Sequence, residues 1–331
     1  MHETHNLKKW RDNWKVSLLP DSIFAAKPKN FVMKPNVSPL AVLVTAFMMT
    51  AASCSCPRHS DSFHVVPCPS SIHVGEGSFR FTPFTVISVS SQEQKDAAEW
   101  FAWIFARPAG FVPMVLMNQD DADVILTYDT TLAPEAYRIK VSRSRITVAA
   151  SAETGFFYAF QTLRQALPDS INSLKHVDDA QWIVPVMEIC DAPVYTHRCV
   201  RMDMKAGVIP MEELLEFVEY IAMLKLNNIH ISGQEQYPAD EFASLVEFAS
   251  NLHVNILPDE GKCTELYSCP KDAVLQMFTS VAALAEVAWS DREVEDRMGF
   301  NETMESMNYY MAQRQLACSR SIFDVGLASL R

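Results

Sequence analysis

Two Asp-Glu pairs, Asp240-Glu241 and Asp259-Glu260, stand in the second half of this 331-residue chain. Neighbouring carboxyl groups suit acid–base chemistry, because burial or a nearby negative charge keeps one of them protonated near neutral pH. The two pairs differ in setting. Asp240-Glu241 opens an amphipathic stretch, where acidic side chains complement the positive end of a helix dipole. Asp259-Glu260 follows directly on the apolar run Val254–Pro258, and is either a catalytic pair at a strand end or a solvated loop pair. The cysteines are Cys54, Cys56, Cys68, Cys190, Cys199, Cys263, Cys269 and Cys318. None forms a Cys-x-x-Cys pair, and no Cys/His group has the linear spacing of a zinc site. The expectation is no metal and no cofactor.

The elements that must position these groups fall into two kinds. From Arg198 onward, strand and helix alternate. Cys199–Met204 reads as a strand, followed by an amphipathic stretch opening at Pro210. Asn228–Ile231 and Val254–Pro258 read as strands on either side of a helix over Ala239–Leu252. Such alternation is the pattern of a parallel α/β sheet. Upstream the text is strand-rich: His64–Pro67, Phe79–Phe81, Thr85–Val89 and Ala122–Tyr128. A hairpin over Ala136–Val141 and Arg145–Ala150 turns at Ser142–Ser144. Helices read over Gln94–Phe105, with Ala97, Ala98, Phe101, Ile104 and Phe105 on one side, and over Thr154–Leu167, stopped by Pro168. A further helix is expected from Lys271 to Trp289, with Phe278, Val281 and Leu284 facing the strands, and a last one over residues 302–317.

The fold class expected is thus an α+β N-terminal domain, a sheet with helices on one face, followed by an incomplete α/β (TIM-type) barrel. A closed barrel needs at least about 200 residues, and roughly 130 follow Arg198. An open barrel edge invites dimerisation across it.

Residues 33–54 have the three parts of an export signal. Met33-Lys34 is a basic start, Leu40–Met49 an apolar core, and Thr50–Ser53 a run of small residues leading into Cys54. The apolar core is shorter than the roughly 20 residues of a membrane span. A lipoprotein-type signal lipidated at Cys54 is expected, with a plain secretory signal as the other option. Residues 1–32 then read as a non-native or disordered leader. The domains would be 63–190 and 195–331, and the location an exported bacterial lipoprotein, periplasmic or at the outer membrane or cell surface. The net charge of −12 argues against a nucleic-acid binder, which needs clustered Lys and Arg for phosphate contacts. Glycine is scarce, at 9 residues.

Three stretches carry a resemblance. Glu135–Val141 (EAYRIKV) and Gly155–Pro168 (GFFYAFQTLRQALP) resemble the N-terminal domain of bacterial β-N-acetylhexosaminidases, glycoside hydrolase family 20. Val186–Asp203 (VMEICDAPVYTHRCVRMD) with Tyr220–His230 (YIAMLKLNNIH) is similar to the first part of that family's catalytic barrel. Cys263–Glu265 with Ala282–Ser290 (AALAEVAWS) is similar to its last part. The resemblance implies substrates ending in β-linked N-acetylglucosamine or N-acetylgalactosamine. It implies hydrolysis in which the sugar's own acetamido oxygen attacks, a Glu protonates the leaving oxygen and an adjacent Asp orients the acetamido group.

The family sets that Asp-Glu pair in a His-x-Gly-Gly-Asp-Glu motif, and this chain contains no Gly-Gly. Asp259 and Glu260 are the remaining catalytic candidates. An Arg-His pair after the first barrel strand is replaced by Ala206-Gly207, and a pocket Trp by Cys263. The resemblance implies sugar contacts at Arg198 and Glu265, whereas His230 reads as an ordinary strand residue. The expected partners are glycans with terminal N-acetylhexosamine, no nucleic acid, and a membrane through the lipid anchor. The activity expected is absent or very weak, and the alternative is a non-catalytic surface lipoprotein that binds glycan or protein through its N-terminal domain.

Overall fold

The computed structural model describes residues 65–204, 209–258, 266–268 and 274–290. The leader, the signal segment with Cys54, the pair Asp259-Glu260, Cys263, Glu265 and the helix expected over residues 302–317 lie outside the described residues. Among the described residues no helix is long and apolar enough to cross a membrane.

The first part is a seven-stranded mixed sheet carrying two helices. Its elements are β1 (Ser71–Arg80), β2 (Val86–Val89), α1 (Gln92–Trp103), β3 (Met114–Met117), β4 (Val124–Tyr128), β5 (Tyr137–Val141), β6 (Ile146–Ala150), α2 (Glu153–Ala166) and β7 (Ile183–Asp191). The strand order is β1-β7-β5-β6-β4-β2-β3. The two helices pack on each other and on the sheet. That arrangement fits the expected sheet with helices on one face. α1 starts where Ser91 accepts the Gln94 N–H at 3.2 Å and the Gln94 side chain accepts from the Ser90 N–H at 2.7 Å, a reciprocal cap. Ala97, Ala98, Phe101 and Phe105 are buried as the spacing predicts. They meet Phe81 and Phe160, with Phe101 stacked on Phe160 at 4.6 Å between ring centroids.

α2 lies so close to the β5–β6 hairpin that a Cβ on Gly155 would stand 2.7 Å from the Ala136 carbonyl oxygen and 2.8 Å from the Ala150 Cβ. Glycine is therefore required there by close approach. α2 ends where Leu167 turns extended ahead of Pro168, as the residue before a proline favours.

Three strands differ from expectation. β1 begins eight residues before Phe79; its polar, glycine-bearing text hid it, and its register with β7 shifts between Val74 and Ser78. β3 is a half-exposed edge strand without polar alternation. β7 contains Pro185, which pairs with Ser78 beyond that shift, and proline is tolerated at such irregularities. Residues 65–67, expected as a strand, are not one. Instead the Gln165 side chain takes the place of a partner strand, accepting from the Val66 N–H and donating to the Val66 carbonyl, both at 2.8 Å.

The second part comprises β8 (Cys199–Asp203), α3 (Met211–Met223), β9 (Asn228–Ser232), α4 (Ala239–Asn251), β10 (Asn255–Pro258), β11 (Leu266–Ser268) and α5 (Val274–Trp289). Its four strands are all parallel, in the order β10-β9-β8-β11. The latest of the described strands, β11, thus flanks β8. Val200, Met202, Ile229 and Ile231 enter one continuous core that also takes in the first sheet. On α5, Val281, Ala282, Ala285 and Trp289 are buried and Leu284 packs against that core, while the Phe278 side chain lies outside what is described.

The scarcity of glycine has a visible consequence. α3 and α4 each end on a non-glycine residue in the left-handed region, Lys225 at φ 59° and His253 at φ 57°. Glycine is the usual occupant of that position. At both posts a side chain is retained that reaches back into the first part of the molecule.

Candidate functional site

Two polar clusters meet at the start of β8. The first is a buried seam between the two sheets. Arg198, one residue ahead of β8, has a fully buried side chain that pairs with Glu135 in the turn before β5. Its two terminal nitrogens reach the Glu135 carboxylate at 2.8 and 3.1 Å. Its Nε donates to the Lys225 carbonyl at 2.9 Å, one terminal nitrogen donates to the Tyr195 carbonyl at 2.6 Å, and the other meets the Tyr158 hydroxyl at 3.1 Å. The guanidinium lies over the Trp289 ring at 5.0 Å.

Beside it, Lys225 pairs with Asp191 at 3.1 Å, both side chains being wholly buried. Tyr137 donates to Asp191 and accepts from the Lys225 ammonium at 2.6 Å. Trp289 Nε1 donates to Asp191 at 3.0 Å. Burial raises the Asp191 pKa, but Lys225 and the hydrogen bonds from Tyr137, Trp289 and Ser70 outweigh it and hold the carboxyl below its ordinary value. Burial lowers the Lys225 pKa, an effect that Asp191 opposes. Burial drives the Tyr137 and Tyr158 hydroxyls upward, so neither ionises near neutrality. A cluster so fully paired, on residues from both sheets, fixes their relative position.

The second cluster lies across β8 and β9. His197 and Cys199 are two residues apart on extended chain, so their side chains share a face. The parallel register sets Arg201 beside His230 and Cys199 beside Asn228, which brings His230 to that same face. The Nε2 atoms of His197 and His230 are 3.4 Å apart. One ligating atom each of His197, Cys199 and His230 lies within 4.8 Å of the others. His197 is exposed, Cys199 half-buried and His230 buried. The Asn228 amide nitrogen sits 3.1 Å from Nδ1 of His197. The Nδ1 of His230 is buried without a partner.

The sequence-predicted residues separate clearly. Arg198, assigned to a sugar by resemblance, has its nitrogens engaged by Glu135, Lys225, Tyr195 and Tyr158, and only 1% of the residue is exposed. Asp259, Glu260 and Glu265 lie outside the described residues. Asp240-Glu241 occupies the first turn of α4, as its dipole reading anticipates. No Cys/His group has the linear spacing of a zinc site, but His197, Cys199 and His230 meet in space, because linear spacing does not register ligands contributed by adjacent strands. His197-x-Cys199 was the available signal, because period two puts both on one face of β8. His230 is the strand residue expected, but its ring has neighbours that spacing alone did not reveal.

Comparison with known proteins places these features in context. Residues 62–192 match the model of glycosyl hydrolase family 20, domain 2. The chain is similar to a β-hexosaminidase of Porphyromonas gingivalis, 25% identical over 178 residues, covering 53% of this chain and 23% of that protein. It is 29% identical over 167 residues to a β-hexosaminidase of Vibrio furnissii, covering 50% of this chain and 25% of that protein. The match thus spans about a quarter of the length of these curated relatives. Among solved structures, the Streptomyces plicatus N-acetyl-β-hexosaminidase in complex with Thio-NAglucal aligns with a TM-score of 0.56 at 18% identity, over 78% of this chain and 66% of that one. The family 20 β-N-acetylhexosaminidase from Streptomyces coelicolor A3(2) aligns with a TM-score of 0.53 at 19% identity, over 75% of this chain and 64% of that one. At such identity the structural likeness concerns the fold.

Proposed function

We propose that this chain, a family 20 β-N-acetylhexosaminidase-like protein, keeps the scaffold of those enzymes and has lost their hydrolytic step. The observation that carries this is the fate of Arg198, the residue that the resemblance assigns to the terminal sugar. Its guanidinium is spent on Glu135, Tyr158 and main-chain carbonyls, so it has no edge to offer a hydroxyl group. The chain also lacks any Gly-Gly, and with it the motif in which the family presents its Asp-Glu pair. An α/β barrel interrupted at its centre, with the strands of the pocket missing, is the architecture this reading implies. The test is release of the chromophore from a chromogenic N-acetylglucosaminide and N-acetylgalactosaminide. The expected result is no release above the uncatalysed rate. Turnover that disappears in Glu260→Gln would overturn the proposal and restore Asp259-Glu260 as the catalytic pair.

A second reading, binding of a protein partner through the first sheet, is favoured by its β3 edge. Met114, Leu116 and Met117 on that strand are more than 40% exposed, and Phe84 in the turn before β2 is 82% exposed. Edge strands with exposed apolar side chains are ready to pair with another chain. A charge introduced at this edge, Leu116→Lys, would abolish such binding. Retained complex formation in that variant would remove the edge from consideration. We further propose export as a lipoprotein anchored through Cys54, to the periplasmic side or the cell surface, and dimerisation across β10. Partition of the expressed protein into detergent, lost in Cys54→Ser, tests the anchor. Sedimentation of the mature chain tests the dimer.

A further inference from the structure

We infer that His197, Cys199 and His230 form a binding site for a borderline-soft divalent metal ion of the zinc class. The inference does not depend on the hydrolytic reading above, since none of the three residues belongs to the Asp-Glu chemistry. Two imidazoles and a thiol are ligands that zinc accepts and that magnesium or calcium does not favour. The geometry agrees. Two zinc–nitrogen bonds of about 2.0–2.1 Å at the tetrahedral angle place their nitrogens roughly 3.3–3.4 Å apart. The Nε2 atoms of His197 and His230 stand 3.4 Å apart. That distance is long for a hydrogen bond between two ring nitrogens, and it matches an edge of a coordination tetrahedron. The third ligand atom lies within 4.8 Å, against an ideal nitrogen–sulfur edge of about 3.6 Å. Binding requires the Cys199 thiolate to close that difference.

His230 is 8% exposed and its Nδ1 has no partner. An ion on Nε2 makes Nδ1 the N–H of that ring, so the unpartnered atom does not itself mark the ion's position. The backbone of the site is held in place before any ion binds, because β8 and β9 are fixed by their parallel ladder. The Nδ1 of His197 accepts from the Asn228 amide in the ion-free chain, so ligation through Nε2 requires the ring proton to move to Nδ1 and that contact to be given up. Three protein ligands leave a fourth position for water or a further group, as in zinc sites with an open coordination position.

The test uses the full chain, stripped with a chelator and titrated with Co²⁺ and with Zn²⁺ against a chromophoric competitor. One equivalent should bind. Cobalt should show a thiolate-to-metal absorption band and the visible bands of a tetrahedral ion. Cys199→Ser should abolish the thiolate band. His197→Ala, at an exposed position that leaves the fold intact, should weaken affinity by at least about 100-fold, beyond the 10–100-fold that loss of an outer-shell partner costs. Absence of saturable binding by the parent chain would overturn the inference. So would a site whose affinity is unchanged in His197→Ala, or whose thiolate band survives in Cys199→Ser, because the ion would then sit on other residues. Should Cys199→Ser fail to fold, His197→Ala decides alone. A metal site confirmed in a chain that also cleaves the chromogenic sugar would sink only the hydrolytic proposal, and an inert chain without the site only this one.

Discussion

Arg198 and its neighbours His197 and Cys199 occupy consecutive positions, yet their side chains leave the chain in opposite directions and meet opposite fates. Arg198 enters the seam between the sheets, where the hydrogen bonds of the cluster close on one another. His197 and Cys199 turn to the other face of β8 and converge with His230, where a buried nitrogen is left without a partner. Both clusters would look alike in a list of polar residues near a sheet. What separates them is chemistry. The charges of the seam answer one another and specify structure, whereas two imidazoles and a thiol converging on one point are what a metal ion requires.

The seam should therefore respond to substitution as structure does. Lys225→Met leaves the Asp191 carboxylate buried without its cation, and breaking one side of a buried pair costs about 3–5 kcal/mol. Chemical denaturation at neutral pH measures it. Adding Asp191→Asn should recover part of the loss, since the orphaned charge is then gone. A loss in Lys225→Met below about 1 kcal/mol would break the comparison, because the pair would then be contributing little.

The next effect concerns the other left-handed helix end. Burial lowers the His253 pKa to about 4. Its ring packs edge-on against Phe157 at 4.8 Å, with Glu153 at 3.8 Å. The folded state thus resists a proton that the unfolded chain, at about 6.5, accepts. Stability is complete above pH 6.5 and is lost as pH falls toward 4, by roughly 2–3 kcal/mol at about 1.4 kcal/mol per unit. Glu153, raised by burial and by Asp96 and Glu93, offsets part of this because it takes up its proton early. His253→Asn, which tolerates the same backbone region, should flatten the slope between pH 6.5 and 4. An unchanged slope would show that the proton goes elsewhere.

How far these features were legible in the sequence depended on whether the cause was local. The β5–β6 hairpin, α3, α4 and the parallel alternation of β8, β9 and β10 follow from periodicity and stop signals, and the structure has them within a residue or two. β1 and β7 were not legible, because their pairing rests on partners about 110 residues apart and their text carries glycine, proline and charge. What Arg198 faces was not legible, because motif position says nothing about what stands opposite, and Glu135 comes from the turn before β5. His197, Cys199 and His230 were missed for the related reason that spacing searches assume ligands from one segment. The close approach at Gly155 was not legible either, since the hairpin that crowds it folds back from elsewhere, and it yields a smaller prediction. Gly155→Ala should cost about 1–2 kcal/mol, the overpacking against Ala136 and Ala150 less the gain in helix propensity. A thermal melt that rises instead would show that α2 can lift from the hairpin.

The smallest stability change is expected where the comparison is sharpest. His197→Ala removes an exposed side chain with one amide contact, so in metal-free buffer its unfolding free energy should shift by less than about 0.5 kcal/mol. With zinc at 100 times its dissociation constant the parent chain should gain about 2.7 kcal/mol, whereas the variant should gain almost nothing. Arg198→Leu should do the reverse. It should destabilise the chain in both buffers by removing the partner of Glu135, while the increment due to zinc stays the same as in the parent. Two adjacent residues that answer so differently to one ion would establish that β8 divides a structural face from a ligand-binding one. A large metal-free loss in His197→Ala would instead make that histidine part of the scaffold and erase the division.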